Sequence, residues 1–190
     1  MAVAPLPNLT PEQYLEIERN AEYKSEYVDG QMYAMAGGSP AHSELAFQFS
    51  GLVWPRLGAR GCRGFNSDMR VQAPTGMQAY PDLSVACGKL NLGKNGDSLL
   101  NPTLIVEILS PSTERFDRGR KFHHYRSIPS LRDYVLVASE SISVELWSRQ
   151  PDGSWRIEEA EGMDQSIEIP SIGVTLSLRE LYDGVDLTNS

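Results

Sequence analysis

The chain has 190 residues, 41% of them apolar and 22% charged, with a formal net charge of −8. That length suits one domain with a full core, spanning 1–190, and is short for two. No apolar run approaches the roughly 20 residues that a membrane helix needs, and the opening MAVAPLPNLT lacks the charged n-region and long apolar h-region of a secretory signal.

An acidic total ordinarily argues against a nucleic-acid partner, but the charge is unevenly spread. Residues 1–132 carry 14 Lys and Arg against 13 Asp and Glu, whereas residues 133–190 carry 3 against 12. Arg115, Arg118, Arg120, Lys121 and Arg126 fall within twelve residues. Such a run is ordinarily a solvated helix face, yet a local basic strip can meet phosphates because screening lets near charges dominate. Cys62 and Cys87 form neither a CxxC metal pair nor a disulfide framework, so reduced thiols and a cytoplasmic location are expected. His42, His123 and His124 lack the spacing of a zinc site.

In chain order, Thr10-Pro11-Glu12-Gln13 predicts a helix start, with a capping box closed by Gln13, running to about Arg19. Lys24–Ala36 predicts a hairpin turning at Asp29-Gly30. Glu26 stands there among apolar and aromatic residues, although a surface place is the commoner fate of such a glutamate. Ser39-Pro40 starts a second helix, with Leu45, Phe49, Leu52, Val53 and Leu57 at helical spacing for packing on a sheet. His42 and Glu44 fall in its first turn, where a histidine ordinarily caps or meets solvent and the dipole favours an acid.

Cys62–Ala73 predicts one strand containing Asp68 and Arg70, and Pro81–Cys87 the next. Gly88–Pro102, polar and glycine-rich, predicts a mobile loop. Thr103–Leu109 is apolar enough for burial on both faces. Ser110-Pro-Ser-Thr113 caps a helix over Glu114–Ser127, on which Asp117, Lys121 and Tyr125 lie near one face. Strands follow at Arg132–Ala138, Ile142–Arg149 and Ser154–Glu159. Glu168–Val174 is a further candidate for the same sheet, and Ser177–Tyr182 a closing helix. The pattern is α/β, or α+β in the looser sense, with a mixed central sheet flanked by helices.

Asp82 and Glu107 stand on two different predicted strands. If those strands are neighbours, both carboxylates can point to one side, and two carboxylates with a lysine suffice to hold a hard cation and activate a water. An ionised Glu107 within Leu-Ile-Val-Glu-Ile-Leu is costly unless paired or metal-bound; a salt bridge to a nearby Arg or Lys is the simpler explanation. Lys121 can reach back to the strand end to stabilise an attacking oxygen or a phosphate, or be a plain solvent lysine. Asp68 is a possible third acid or a turn aspartate.

The ordered set Glu26-Tyr-Val-Asp-Gly30, Ser39-Pro-Ala-His42, Ser67-Asp-Met-Arg-Val71, Tyr80-Pro-Asp82, Val106-Glu-Ile-Leu-Ser-Pro-Ser-Thr113 and Asp117-x3-Lys121-x3-Tyr125 resembles the Uma2 family. This family, also called DUF820, comprises restriction-endonuclease-like proteins of the PD-(D/E)XK nuclease superfamily. The resemblance covers about residues 8–183. It implies a restriction endonuclease-like αβββαβ core, with an extra N-terminal hairpin and C-terminal strands. It also implies a metal-dependent endonuclease acting on DNA, with Mg²⁺ or Mn²⁺ held by Asp82, Glu107 and the Ile108 carbonyl, and Asp68 as a further candidate ligand. The superfamily's lysine ordinarily lies two residues after the acid, where this chain has Leu109; Lys121 of the next helix looks like its replacement. Arg115, Arg118 and Arg120 are candidate phosphate contacts, and Glu26, His42, Asp117 and Tyr125 candidate accessory residues. A homodimer is expected, with Val144, Leu146, Trp147 and Trp155 available either to an interface or to the core. A nuclease fold that binds or regulates without cutting is the alternative, and a metal hydrolase of small phosphoesters a third.

Overall fold

The structure, a computed structural model, describes residues 8–35 and 37–187. Its first elements form where local chemistry dictates them. Helix α1 (Pro11–Asn20) opens on the capping box: Thr10 Oγ1 accepts from the Gln13 amide at 3.3 Å and Gln13 Oε1 accepts from the Thr10 amide at 2.8 Å. Strands β1 (Ser25–Val28) and β2 (Gln31–Ala34) form the expected hairpin. Asp29 and Gly30 take φ of 50° and 84°, the left-handed pair that matches strand twist in a two-residue turn. Ala36, the last residue of the predicted hairpin, lies outside the described residues. Helix α2 (Pro40–Leu57) is capped by Ser39, whose hydroxyl accepts from the His42 amide at 3.2 Å. Ala41, Leu45, Phe49, Val53 and Leu57 give it one buried face.

The remaining elements are β3 (Cys62–Asn66), β4 (Arg70–Gln72), β5 (Gln78–Ala79), β6 (Leu83–Cys87), β7 (Ser98–Leu99), β8 (Leu104–Leu109), α3 (Glu114–Phe116), a π-helical segment (Asp117–Lys121), α4 (Phe122–Tyr125), β9 (Asp133–Ala138), β10 (Ser143–Arg149), β11 (Trp155–Glu161), β12 (Ser166–Ile169), β13 (Val174–Ser177) and α5 (Leu178–Leu181). A six-stranded sheet runs β11-β10-β9-β8-β6-β3, and a five-stranded one β2-β1-β5-β4-β7. Both are mixed, because β8–β9 and β4–β7 are parallel pairs and the other pairs are antiparallel. The result is an α+β fold with mixed sheets flanked by helices.

Strand β8 shows why the six-stranded sheet is central. Alternate residues point to opposite faces, and both faces are buried. Leu104, Val106 and Ile108 pack with α2, α5 and the C-terminal strands. Ile105 and Leu109 pack with Val28, Val71, Tyr125 and Tyr134 on the other side. Glu107 shares the parity of Ile105 and Leu109, so its side chain enters the second face.

Four expectations are corrected by pairing that no local signal carries. The predicted strand Cys62–Ala73 breaks at Ser67–Met69, and its halves join different sheets. Cys62 and Cys87 stand opposite each other in the antiparallel pair β3–β6 and are joined by a disulfide, with Cα atoms 3.9 Å apart. Their 25-residue separation gave no hint of a register that sets them face to face. The segment predicted as a mobile loop is tied down: β7 pairs with β4, Leu92 bridges Leu99, and Asp97 meets Arg19 at 2.9 Å and Arg70 at 3.0 Å. Strands β12 and β13 pair with each other as a separate two-stranded sheet. Val144 and Leu146 are core residues. Trp147 and Trp155 each stand near-perpendicular to Phe122, with ring centroids 4.4 and 5.0 Å away and planes at 73° and 86°.

Candidate active site

The site grows from the meeting of β6 and β8. These strands are antiparallel neighbours with Leu83 opposite Val106, so one step further the register brings Asp82 to the level of Glu107. Asp82 lies just before β6, where the ladder has ended. Its Oδ2 takes over the missing strand partner and accepts the Ile108 amide at 2.7 Å. The N–H and C=O of one strand residue point toward the same neighbour, so the Ile108 carbonyl also faces the Asp82 side. Nε2 of His42, in the first turn of α2, lies 3.3 Å from the same Oδ2. That contact raises the imidazole pKa against the lowering effect of burial.

Glu107 is 3% exposed. Its Oε1 accepts from Lys121 Nζ and from Tyr125 Oη, each at 3.1 Å. Lys121 is 6% exposed and also meets Glu26 Oε1 at 3.0 Å and Asp117 Oδ1 at 3.2 Å. The π-helical segment makes this possible. Its wider turn keeps Asp117 and Lys121 on the sheet side together, and Tyr134 Oη donates to the Asp117 carbonyl at 3.1 Å. Glu26, ordinarily a surface residue by sequence, is buried, and its Oε1 also accepts the Tyr80 amide at 3.0 Å.

The electrostatics of this cluster are unbalanced. Burial pushes the Glu107 carboxyl well above the usual carboxylate range, opposed by Lys121 and reinforced by Asp117, Asp82 and Glu26. Burial works to lower the Lys121 ammonium, but Glu107, Glu26 and Asp117 outweigh it and carry the pKa well up. Tyr125 is raised by burial and by Glu107. Four carboxylates thus surround one lysine and one histidine, and a further cation would relieve the excess.

A cavity of about 760 Å³ reaches this cluster. Glu26, His42, Asp82, Glu107, Asp117 and Lys121 line its floor, and Tyr33, Met35, Phe116 and the Ser110–Thr113 turn form its walls. Among the described residues, no three His, Cys, Asp or Glu side chains converge as a preformed metal cage. The donors on hand are Asp82, Glu107 and the Ile108 carbonyl. That sparse oxygen set fits Mg²⁺, which keeps several waters and binds through one or two carboxylates and substrate phosphates.

Other sequence candidates fall outside the cluster. Asp68 sits in the turn between β3 and β4, exposed and paired with Lys24, away from the cavity lining. Strand breakage carried it off. Arg118 is engaged by Glu114 at 2.8 Å and by Glu145 of β10. Arg120 meets Asp29 Oδ2 at 2.8 Å and Tyr33 Oη at 3.3 Å. Arg115 is exposed. The basic strip is therefore partly neutralised by acids from elements distant in sequence. Sequence reading missed Tyr33, Met35 and Phe116; the hairpin's aromatic content was visible, but not which rim it would join.

A crystal structure described as a putative nuclease belonging to DUF820, from Anabaena variabilis ATCC 29413, shares this fold. Its TM-score is 0.76 at 21% identity, covering 92% of this chain and 97% of that one. The chain therefore has the α+β fold of that protein, with an acid-rich cavity where two central strands meet. The Uma2 family, described as putative restriction endonuclease, matches residues 11–179, and the chain belongs to that family. Two relatives from Synechocystis sp. are both described as uncharacterized proteins. The protein slr1290 is 40% identical over 183 residues, covering 96% of this chain and 95% of its own, and sll1609 is 36% identical over 170 residues, covering 88% and 96%.

Proposed function

We propose that the protein is a metal-dependent nuclease that hydrolyses phosphodiester bonds of DNA. The observation that carries this reading is the placement of Asp82, Glu107 and Lys121 on one cavity floor where acids outnumber cations. The cofactor is Mg²⁺ or Mn²⁺, with Asp82, Glu107 and the Ile108 carbonyl as the protein ligands. Such an ion, when bound, lowers the pKa of a water and offsets charge developing on the phosphate.

The chain's own residues do the rest. Tyr125 and Lys121 fix the Glu107 carboxylate, and His42 with the Ile108 amide fixes that of Asp82. Lys121 donates to the attacking oxygen or a non-bridging phosphate oxygen, exchanging one of its three carboxylate contacts to do so. In the reaction a water oxygen bonds to phosphorus, one P–O bond to a sugar breaks, and the leaving oxygen takes up a proton. Arg115, Arg118 and Arg120 are the flanking phosphate contacts of this reading, Arg118 after releasing its acid partners and Arg120 through the guanidinium N–H groups that Asp29 and Tyr33 leave free. The reading also includes a homodimer, checked by sedimentation velocity, with an interface that leaves out the buried Val144 and Leu146.

The test is cleavage of supercoiled plasmid and of single-stranded circular DNA with Mg²⁺ or Mn²⁺. Asp82→Ala and Glu107→Ala are each expected to abolish metal-dependent cleavage. Equal cleavage by the wild type and Glu107→Ala overturns the assignment. One observation favours a second reading, a nuclease fold that binds nucleic acid without cutting: Lys121 is fully engaged by three carboxylates at 3.0–3.2 Å. Calorimetric titration with Mn²⁺ separates the two, because the non-cutting module shows no metal binding that depends on Glu107.

A further inference from the structure

The cavity has two chemically different parts. Its floor is acidic, as described above, and its mouth is aromatic. Tyr33 of β2 and Phe116 of α3 meet there with ring centroids 5.5 Å apart and planes at 45°. Tyr33 is 38% exposed and Met35, two residues on, 36%. All three line the same cavity as Asp82 and Glu107. Tyr33, on the outer strand of its sheet, and Met35 just beyond it leave apolar surface open to solvent at the cavity, and Phe116, partly buried against the second core, backs them.

The Tyr33 ring is also held in place. Its hydroxyl accepts from Arg120 at 3.3 Å, and Arg120 is itself anchored on Asp29 at 2.8 Å. Asp29 occupies the left-handed turn of the same hairpin. The arrangement is a pre-oriented aromatic face beside a half-exposed guanidinium, at the entrance to an acid-rich floor. Pre-orientation lowers the ordering cost of binding.

We propose that Tyr33, flanked by Phe116 and Met35, is a stacking platform for one unpaired nucleobase, and that the substrate is therefore a single-stranded nucleic acid. This rests on the phosphodiesterase reading of the floor. A base inside a duplex is already stacked on both faces and offers none to Tyr33, whereas an unpaired base does. The floor carboxylate and lysine are 3% and 6% exposed, so a phosphate must descend into the cavity to reach them. A single strand can bend its backbone inward with the adjacent base left at the rim. A cavity of about 760 Å³ is within the range that holds a ligand of nucleotide size. Arg120 lies where the phosphate beside the stacked base passes.

The test is fluorescence anisotropy of a fluorescein-labelled 12-nucleotide single-stranded DNA, its RNA counterpart and a 12-base-pair hairpin duplex, in EDTA at low salt so that no strand is cut. The wild type is expected to bind single strands about tenfold or more tighter than the duplex. Tyr33→Ala is expected to weaken single-strand binding about tenfold, and Tyr33→Trp to restore it. A 2-aminopurine in the strand should be quenched by the wild type and not by Tyr33→Ala. The DNA and RNA arms decide which backbone is preferred. Equal or tighter duplex binding, an unchanged Tyr33→Ala, or no binding of any strand overturns the platform. Cleavage is scored separately. Metal-dependent cutting without a Tyr33 effect removes this inference alone, and a Tyr33 effect without cutting removes the catalytic reading alone.

Discussion

Arg70 and Lys121 are both buried cations, and Tyr80 joins their surroundings. The Tyr80 amide donates to Glu26 on the Lys121 side, and its hydroxyl donates to Glu18 at 3.0 Å and accepts from Arg70 at 3.2 Å on the other. Around Arg70 the neighbours are mostly neutral or matched. Ser98 Oγ lies at 3.1 Å, Asp97 supplies one carboxylate at 3.0 Å, and the rings of Tyr14 and Tyr80 cover the guanidinium at 5.9 and 5.8 Å. This network ties β4, β7 and the Tyr80-Pro81-Asp82 segment together. Around Lys121 three carboxylates crowd one ammonium, Asp82 stands close by, and the group opens to a cavity. A buried network whose charges match serves the fold. One left with surplus charge beside open space is ready for a ligand of opposite sign.

Removing each cation tests that contrast. Lys121→Met leaves three buried carboxylates without their cation, and is expected to cost about 3–5 kcal/mol, read as a drop in the urea midpoint. Arg70→Met should cost less, about 1–3 kcal/mol, because its partner Asp97 has a side chain 32% exposed and returns to water. Equal losses for the two variants would remove the distinction between the networks.

Glu107→Gln is the smallest effect and the most diagnostic, because its sign is opposite. The folded-state pKa of Glu107 is raised above its ordinary 4.5. Its favourable contribution is therefore present below pH 4.5 and is lost as pH rises through the folded value. Near pH 7.5, without divalent metal, Glu107→Gln should raise Tm by about 2–4 °C for each kcal/mol relieved. The gap should close as pH falls toward 4.5. A variant less stable than wild type at pH 7.5 would show that Glu107 is needed to balance Lys121, and the surplus-charge picture would fail.

Much of the site was legible beforehand. Pro81-Asp82, the glutamate inside an apolar strand, and the Asp117, Lys121, Tyr125 spacing each stand in continuous sequence, and β6 and β8 are neighbours as the argument required. His42 and Glu26 carry no local signal that moves them off the surface. Asp68 went the other way: a turn at Ser67–Met69 sends it to solvent beside Lys24. The Cys62–Cys87 bond and the anchoring of residues 88–102 were invisible, since both depend on which strands lie side by side.

Sequence by itself determined the helix caps, the Asp29-Gly30 turn, the buried faces of α2 and β8, and the residue types at the acidic floor. These follow from contacts within a few residues or from a period of two or four along the chain. Tertiary structure alone decided that Glu26 of a hairpin and Lys121 of a π-helical turn meet Glu107, that the arginine strip is partly neutralised, and that Tyr33 faces Phe116 at the cavity mouth. Most of these contacts join segments dozens of residues apart, and register and packing of the whole chain set such distances.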